Sequence, residues 1–191
     1  MAPLTRDNKQ LSDEVLIEAI TQKGETELFG ILYDRYSNKV YRKCLSFVKD
    51  ESAAQDMVQD VLLKVFTQLG KFQGKSRFST WLYAITYNYC VEYYRKNNKY
   101  AMVDIDEGPD ISVDDDDEKE LLKMRAEQLK WALDQVAPED KMILLLKYQD
   151  DTPIKEIMDT LDISESAVKM RLARARQRVK QVVQEREKVM V

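Results

Sequence analysis

An all-α fold of two small helical domains, joined by an acidic flexible linker, is what this 191-residue chain predicts. Three observations carry that expectation. Apolar residues recur at three- and four-residue steps over long stretches, the period of amphipathic helices. No stretch alternates for long with the period of a strand. One segment, Val103 to Glu120, sets ten acids against a single lysine, contains Gly108-Pro109 and has no aromatic residue. Such a segment lacks the apolar area that offsets the entropy of ordering. It reads as a linker at 101–120 between domains at 1–100 and 121–191, each large enough to fold alone.

In the first domain Phe29, Leu32, Tyr33, Tyr36, Val40, Cys44 and Phe47 mark one helical face. A second helix is expected from Ser52, with Met57, Val58, Val61, Leu62, Val65 and Phe66 on its apolar side. After a break at Gly70 to Gly74, Ser79 is placed to cap a long helix reaching about Lys96, with Leu82, Thr86, Tyr89, Cys90 and Tyr93 turned to the core. In the second domain Thr152-Pro153 reads as a cap followed by a proline at the first helical position, opening a short helix through Leu161. Asp162-Ile163-Ser164 then makes a turn, Ser164 caps the next helix, and Ile163 and Val168 occupy the positions of a hydrophobic staple. Two helices so joined form a helix-turn-helix.

Composition narrows function by exclusion. The chain has no histidine, which removes the commonest general base and the commonest metal ligand together. Five glycines leave little room for a phosphate-binding loop. Cys44 and Cys90 are far apart in sequence and outside any metal-ligand spacing, so neither a disulfide framework nor a zinc site is expected. The run Asp114 to Asp117 invites an aspartate-rich metal site, but linker charge accounts for it. Neither catalysis, a cofactor nor a metal is expected. The start of the chain has no apolar stretch after its basic residue, and the longest apolar run, Met142 to Leu146, is far too short to cross a bilayer. Membrane insertion is therefore not expected, and a reducing cytoplasm is the expected location.

The net charge of −4 conceals an uneven distribution, because Val103 to Glu120 alone carries −9 and leaves +5 on the remainder. Lys71 to Lys99 and Ser164 to Lys180 are each net +5, the footprint of phosphate contacts. On the second helix of the helix-turn-helix, Val168, Leu172, Ala175 and Val179 fall on one stripe and face the preceding helices. The opposite face carries Ser166, Lys169, Met170, Ala173, Arg174 and Gln177. Its small residues permit close approach to a duplex, while Lys169 and Arg174 reach phosphates or guanine edges in the major groove.

Between Phe72 and Tyr100 lie nine of the seventeen aromatic residues, interleaved with basic ones, a mixture suited to unstacked bases. With one face of that helix assigned to the core, Trp81, Ile85, Asn88, Glu92 and Arg95, with Lys96 beside them, form the opposite face. Asp56, Gln59, Asp60, Leu63 and Lys64 line the outward side of the preceding helix, where a solvated polar surface is an equal explanation. A stand-alone helix-turn-helix regulator and an RNA-binding module are the rival readings of these features.

Together the residues resemble the extracytoplasmic-function group of the bacterial sigma-70 family. The landmarks are Leu32-Tyr33-Asp34-Arg35-Tyr36, Asp56 to Phe66, Phe78-Ser79-Thr80-Trp81-Leu82-Tyr83-Ala84-Ile85-Thr86-Tyr87-Asn88, and Ala167-Val168-Lys169-Met170-Arg171-Leu172-Ala173-Arg174-Ala175-Arg176. The resemblance implies sigma domains 2 and 4, with core RNA polymerase and promoter DNA, duplex and melted, as partners. It implies that Asp56, Gln59, Asp60, Leu63 and Lys64 dock on the polymerase clamp coiled coil. It implies that Lys75, Arg77, Trp81, Asn88, Glu92, Arg95 and Lys96 melt and read the −10 element, and that Ser166, Lys169, Met170, Ala173, Arg174 and Gln177 read the −35 element. An anti-sigma protein is a further partner common in the group. The sequence departs from the family at Asp162, where glycine is usual, and at Glu92, where aspartate is commoner. Aspartate tolerates a left-handed backbone, so the turn is expected to survive. The acidic linker is expected to act as a self-repelling spacer or as a nucleic-acid mimic in the polymerase channels.

Overall fold

The computed structural model describes residues 10–97, 124 and 126–189. The linker expected at 101–120 lies outside the described residues. The chain forms two compact units that divide between Cys90 and Val91, inside a continuous helix. Among the described residues every regular element is a helix or a tight helical turn.

The first unit opens with α1 (Asp13–Lys23), which the apolar period did not single out. Ser12 caps it, its Oγ accepting from the Val15 N–H, and Gly24 at φ +74° ends it. α1 is pinned to α2 (Phe29–Val48) by an Arg35–Asp13 ion pair of 2.6 Å and by the Tyr36 hydroxyl donating to the same carboxylate. Burial, reinforced by the Asp13 carboxylate, pushes the Tyr36 phenol far above its ordinary value.

α3 (Glu51–Gln68) is capped by Asp50, whose Oδ1 accepts from the Ala53 N–H at 2.7 Å, so the helix begins ahead of the expected Ser52. α2 and α3 pack along each other. Leu32, Tyr36, Val40, Cys44 and Phe47 are buried with Met57, Val58, Val61, Leu62 and Val65. Each such side chain withdrawn from water contributes roughly 1.5–3 kcal/mol, so this pair of helices holds the unit together.

α4 (Phe78–Asn97) begins two residues earlier than expected, with Ser79 inside its first turn rather than at its cap. Its core surface exceeds one stripe: Phe78, Ala84, Tyr87 and Val91 are buried besides Leu82, Thr86 and Cys90. Cys44 and Cys90 are free thiols whose sulfurs lie 4.0 Å apart in the core.

The second unit contains α5 (Ala126–Leu133), α6 (Pro138–Leu144), a π-helical turn (Leu145–Gln149), α7 (Ile154–Leu161) and α8 (Glu165–Val189). α5, α6 and α7 all pack on α8, the spine of the unit. Val168, Leu172, Ala175 and Val179 are buried as projected, and Val183 extends the stripe. Two ion pairs brace the unit, Arg178–Asp140 at 2.6 Å and Lys141–Asp134 at 2.8 Å. The Arg186 guanidinium also sits 4.3 Å over the Trp131 ring.

Thr152 does not cap α7. Asp151 takes φ +47°, the Thr152 N–H bonds the Leu146 carbonyl at 3.1 Å, and the Thr152 side chain is buried with no partner for its hydroxyl among the described residues. The helix therefore starts at Ile154, after Pro153. The turn itself survives its departure from glycine: Asp162 takes φ +52° and its N–H reaches the Met158 carbonyl. Ser164 caps α8, its Oγ accepting from the Ala167 N–H at 3.2 Å.

Candidate functional site

Three faces carry the residues singled out in the sequence. On α3, Asp56, Gln59, Asp60 and Leu63 are exposed and Lys64 is half-buried. Leu63 is 63% exposed and Tyr33, across the neighbouring groove, 41%, so the two belong to an exposed apolar patch rather than standing singly. Beside Leu63 runs an open, mostly apolar groove of about 630 Å³ lined by Phe29, Gly30, Tyr33, Leu62, Leu63 and Phe66 together with the polar Thr26, Glu27 and Gln59. Phe29 and Phe66 meet edge to face, with ring centroids 4.9 Å apart.

Phe29 and Tyr33 share the helical face of Leu32, Tyr36, Val40, Cys44 and Phe47, which are buried. Phe29 is half-buried and Tyr33 exposed, because helical period marks a stripe without telling which of its turns another element covers. Both thereby join the α3 face. Leu63, the one apolar member of the outward α3 set, was the one hint of this in the sequence.

On α4 the outward set lies where the helical projection puts it. Asn88, Glu92, Arg95 and Lys96 are exposed, and Trp81 and Ile85 half-buried. Trp81 leans on Phe72 and Phe78, with centroid distances of 5.5 and 6.0 Å, so its ring is braced from behind. Lys75 and Arg77 are exposed on the loop leading into α4, where Gly74 takes φ +67°. A second part of the aromatic cluster turns inward around buried Lys43. Its ammonium lies 4.0 Å from the Tyr83 ring centroid and donates to the Tyr87 hydroxyl at 3.0 Å.

On α8, Ser166 and Lys169 are exposed, while Met170, Arg174 and Gln177 are half-buried. Lys169 pairs with Glu165 one turn back at 2.6 Å, and its hydrogen bond holds the Glu165 carboxyl below the usual carboxylate range. Ala173 is buried rather than exposed on the outward face. The inward face of α8 is broader than the four-residue stripe: Arg176, three residues on, is also buried and donates to the Tyr148 hydroxyl at 3.2 Å.

Comparison with known proteins bears on all three faces. Residues 32–100 match the model of sigma-70 region 2, and residues 126–179 match that of sigma-70 region 4. The chain belongs to the sigma-70 family, within its extracytoplasmic-function group. It is 28% identical over 186 residues to the ECF RNA polymerase sigma-E factor of Haemophilus influenzae, covering 92% of this chain and 97% of that one. It is 29% identical over 187 residues to the protein of the same name from Escherichia coli K12, covering 93% and 97%. Among solved structures, the complex of CnrH with the cytosolic domain of CnrY has a TM-score of 0.61 at 21% identity, over 91% of this chain and 97% of that one, a likeness of fold. The α3 and α4 faces fall inside the region 2 match, and the α8 face inside the region 4 match. No helix among the described residues is long and apolar enough to cross a membrane.

Proposed function

We propose that this sigma factor, which directs core RNA polymerase to promoters, divides the work among the three faces. Asp56, Gln59, Asp60 and Leu63 on α3, together with the adjoining groove, dock on the polymerase clamp coiled coil. Trp81, Asn88, Glu92, Arg95 and Lys96 on α4, with Lys75 and Arg77, hold the melted −10 strand. Ser166, Lys169, Met170, Arg174 and Gln177 on α8 read the −35 duplex, and the burial of Ala173 moves it from contact to support. The domain bounds that go with this reading are about 1–100, with a linker at 101–120 and a second domain at 121–191, whereas the compact units divide between Cys90 and Val91. The protein acts in the bacterial cytoplasm with polymerase, and an anti-sigma protein is a further candidate partner.

The observation that carries the reading is the apolar groove beside an exposed Leu63. An apolar surface rimmed by polar residues is paid for in solvation unless a partner covers it, and the α3 wall of this one, Gln59, Leu62, Leu63 and Phe66, lies within the region 2 match. Sigma factors are not enzymes, and the energetics are those of binding. Unstacking a base costs a few kcal/mol, and stacking it on an aromatic face returns about 1–3 kcal/mol. The braced Trp81 ring supplies such a face, and the cations of α4 track the backbone. In-vitro transcription with core polymerase and genomic fragments tests the whole reading. Start sites that require this protein are expected; a product pattern identical to that of core enzyme alone would refute it.

A further inference from the structure

The residues outside these three faces are mostly accounted for by packing, but one polar contact joins two helices across the docking face. Tyr89 of α4 shares a face with Leu82 and Thr86, and that periodicity assigns it to the core. In the structure it is half-buried, with its hydroxyl emerging at the surface to donate to Asp60 Oδ2 of α3 at 2.5 Å. Lys64, one turn along α3 from Asp60, has its ammonium 6.0 Å from the Tyr89 ring centroid. The contact spans 29 positions of sequence and is made in an exposed setting.

An exposed carboxylate on a helix ordinarily samples several rotamers, and a partner must stop that motion on binding. The Tyr89 side chain is half-buried where it leaves α4, so its hydroxyl has less freedom than that of a fully exposed side chain. A charge-assisted O–H···O⁻ bond favours the Asp60 rotamer that meets the Tyr89 hydroxyl. Only Oδ2 is engaged by the described residues, so Oδ1 is left to accept a donor from outside.

We propose that Tyr89 is a positioning residue of the polymerase-docking face, contributed by α4: it orients Asp60 to receive a guanidinium or ammonium group of the core enzyme. The proposal rests on the docking reading of α3. It adds to that face a residue contributed by a second helix, α4.

Tyr89→Phe tests it, because the ring and its packing stay while the hydroxyl goes. Affinity for core polymerase would be measured for the parent protein, Tyr89→Phe, Asp60→Ala and the double variant, with a thermal melt of each. Tyr89→Phe is expected to weaken core binding by about threefold to tenfold at unchanged melting temperature. In the Asp60→Ala background it is expected to have no further effect, the non-additivity that marks two residues acting as one. Parent-like binding by Tyr89→Phe beside a weakened Asp60→Ala would overturn the positioning role while leaving the docking reading intact. Additive losses would overturn it too, since Tyr89 would then act elsewhere. If neither Asp60→Ala nor Leu63→Ala alters core binding, the docking reading itself fails and the proposal falls with it.

Discussion

Truncating Leu63 to alanine separates docking from folding, because most of this side chain faces water in the free protein. It is 63% exposed, so about a third of its surface contributes to the fold and the rest is available to a partner. Full burial of a leucine side chain contributes roughly 1.5–3 kcal/mol. The share left for docking is then roughly 1–2 kcal/mol, which corresponds to a dissociation constant about 5- to 30-fold weaker in Leu63→Ala. The share already used by the fold is roughly 0.5–1 kcal/mol, a few degrees of melting temperature at most. The assay is a titration of labelled protein with core polymerase, followed by anisotropy at two salt concentrations and accompanied by a thermal melt. Burial of apolar surface is little screened by salt, so the ratio of variant to parent affinity should hold at both. Leu62→Ala is the contrasting control, since Leu62 is buried and its truncation should cost about 2–5 kcal/mol of stability. Parent-like affinity in Leu63→Ala would refute the docking assignment, and a large fall in melting temperature would refute the reading of Leu63 as a surface anchor.

Other consequences can be checked in the same preparations. Asn88→Ala, and Trp81→Ala with it, should impair opening of a duplex promoter more than use of a template already mismatched across the −10 region, since preopened bases need no unstacking. Equal loss on both templates would point to a folding defect. Glu165→Gln releases Lys169 from its 2.6 Å partner and should tighten promoter binding with a steeper salt dependence, by about one phosphate contact, while Lys169→Ala should do the reverse. Identical salt slopes in the two variants would remove Lys169 from the DNA contact. Burial pushes the Asp140 carboxyl above the ordinary carboxylate range, against the opposing pull of Arg178. The folded protein therefore keeps that proton to higher pH than the unfolded chain, and stability should decline as pH rises from the ordinary value through the raised one. Asp140→Asn should flatten this decline in thermal melts across that interval; an unaltered pH profile would show that Asp140 does not control it.

Much of the molecule was legible in the sequence because helical period and capping are local properties. The inward stripe Val168, Leu172, Ala175 and Val179, the left-handed turn at Asp162, the Ser164 cap and the outward set Asn88, Glu92, Arg95 and Lys96 all follow from spacing and residue chemistry within a few turns. Period says which residues share a face, but not what lies across from that face. Only the tertiary structure decided that Phe29 and Tyr33 of that face line a groove, and that Tyr87 and Lys43 are buried in the core. Local bonding misled at Thr152, whose backbone is taken by Leu146 before its side chain can cap a helix. The same limit explains Ala173 and Tyr89. The first is small enough to serve either an open or a packed surface. The second shares a helical face with Leu82 and Thr86 but stays half-buried, and it is long enough for its hydroxyl to reach Asp60 on another helix. Residues of these kinds are placed by their neighbours in space, which a one-dimensional pattern does not contain.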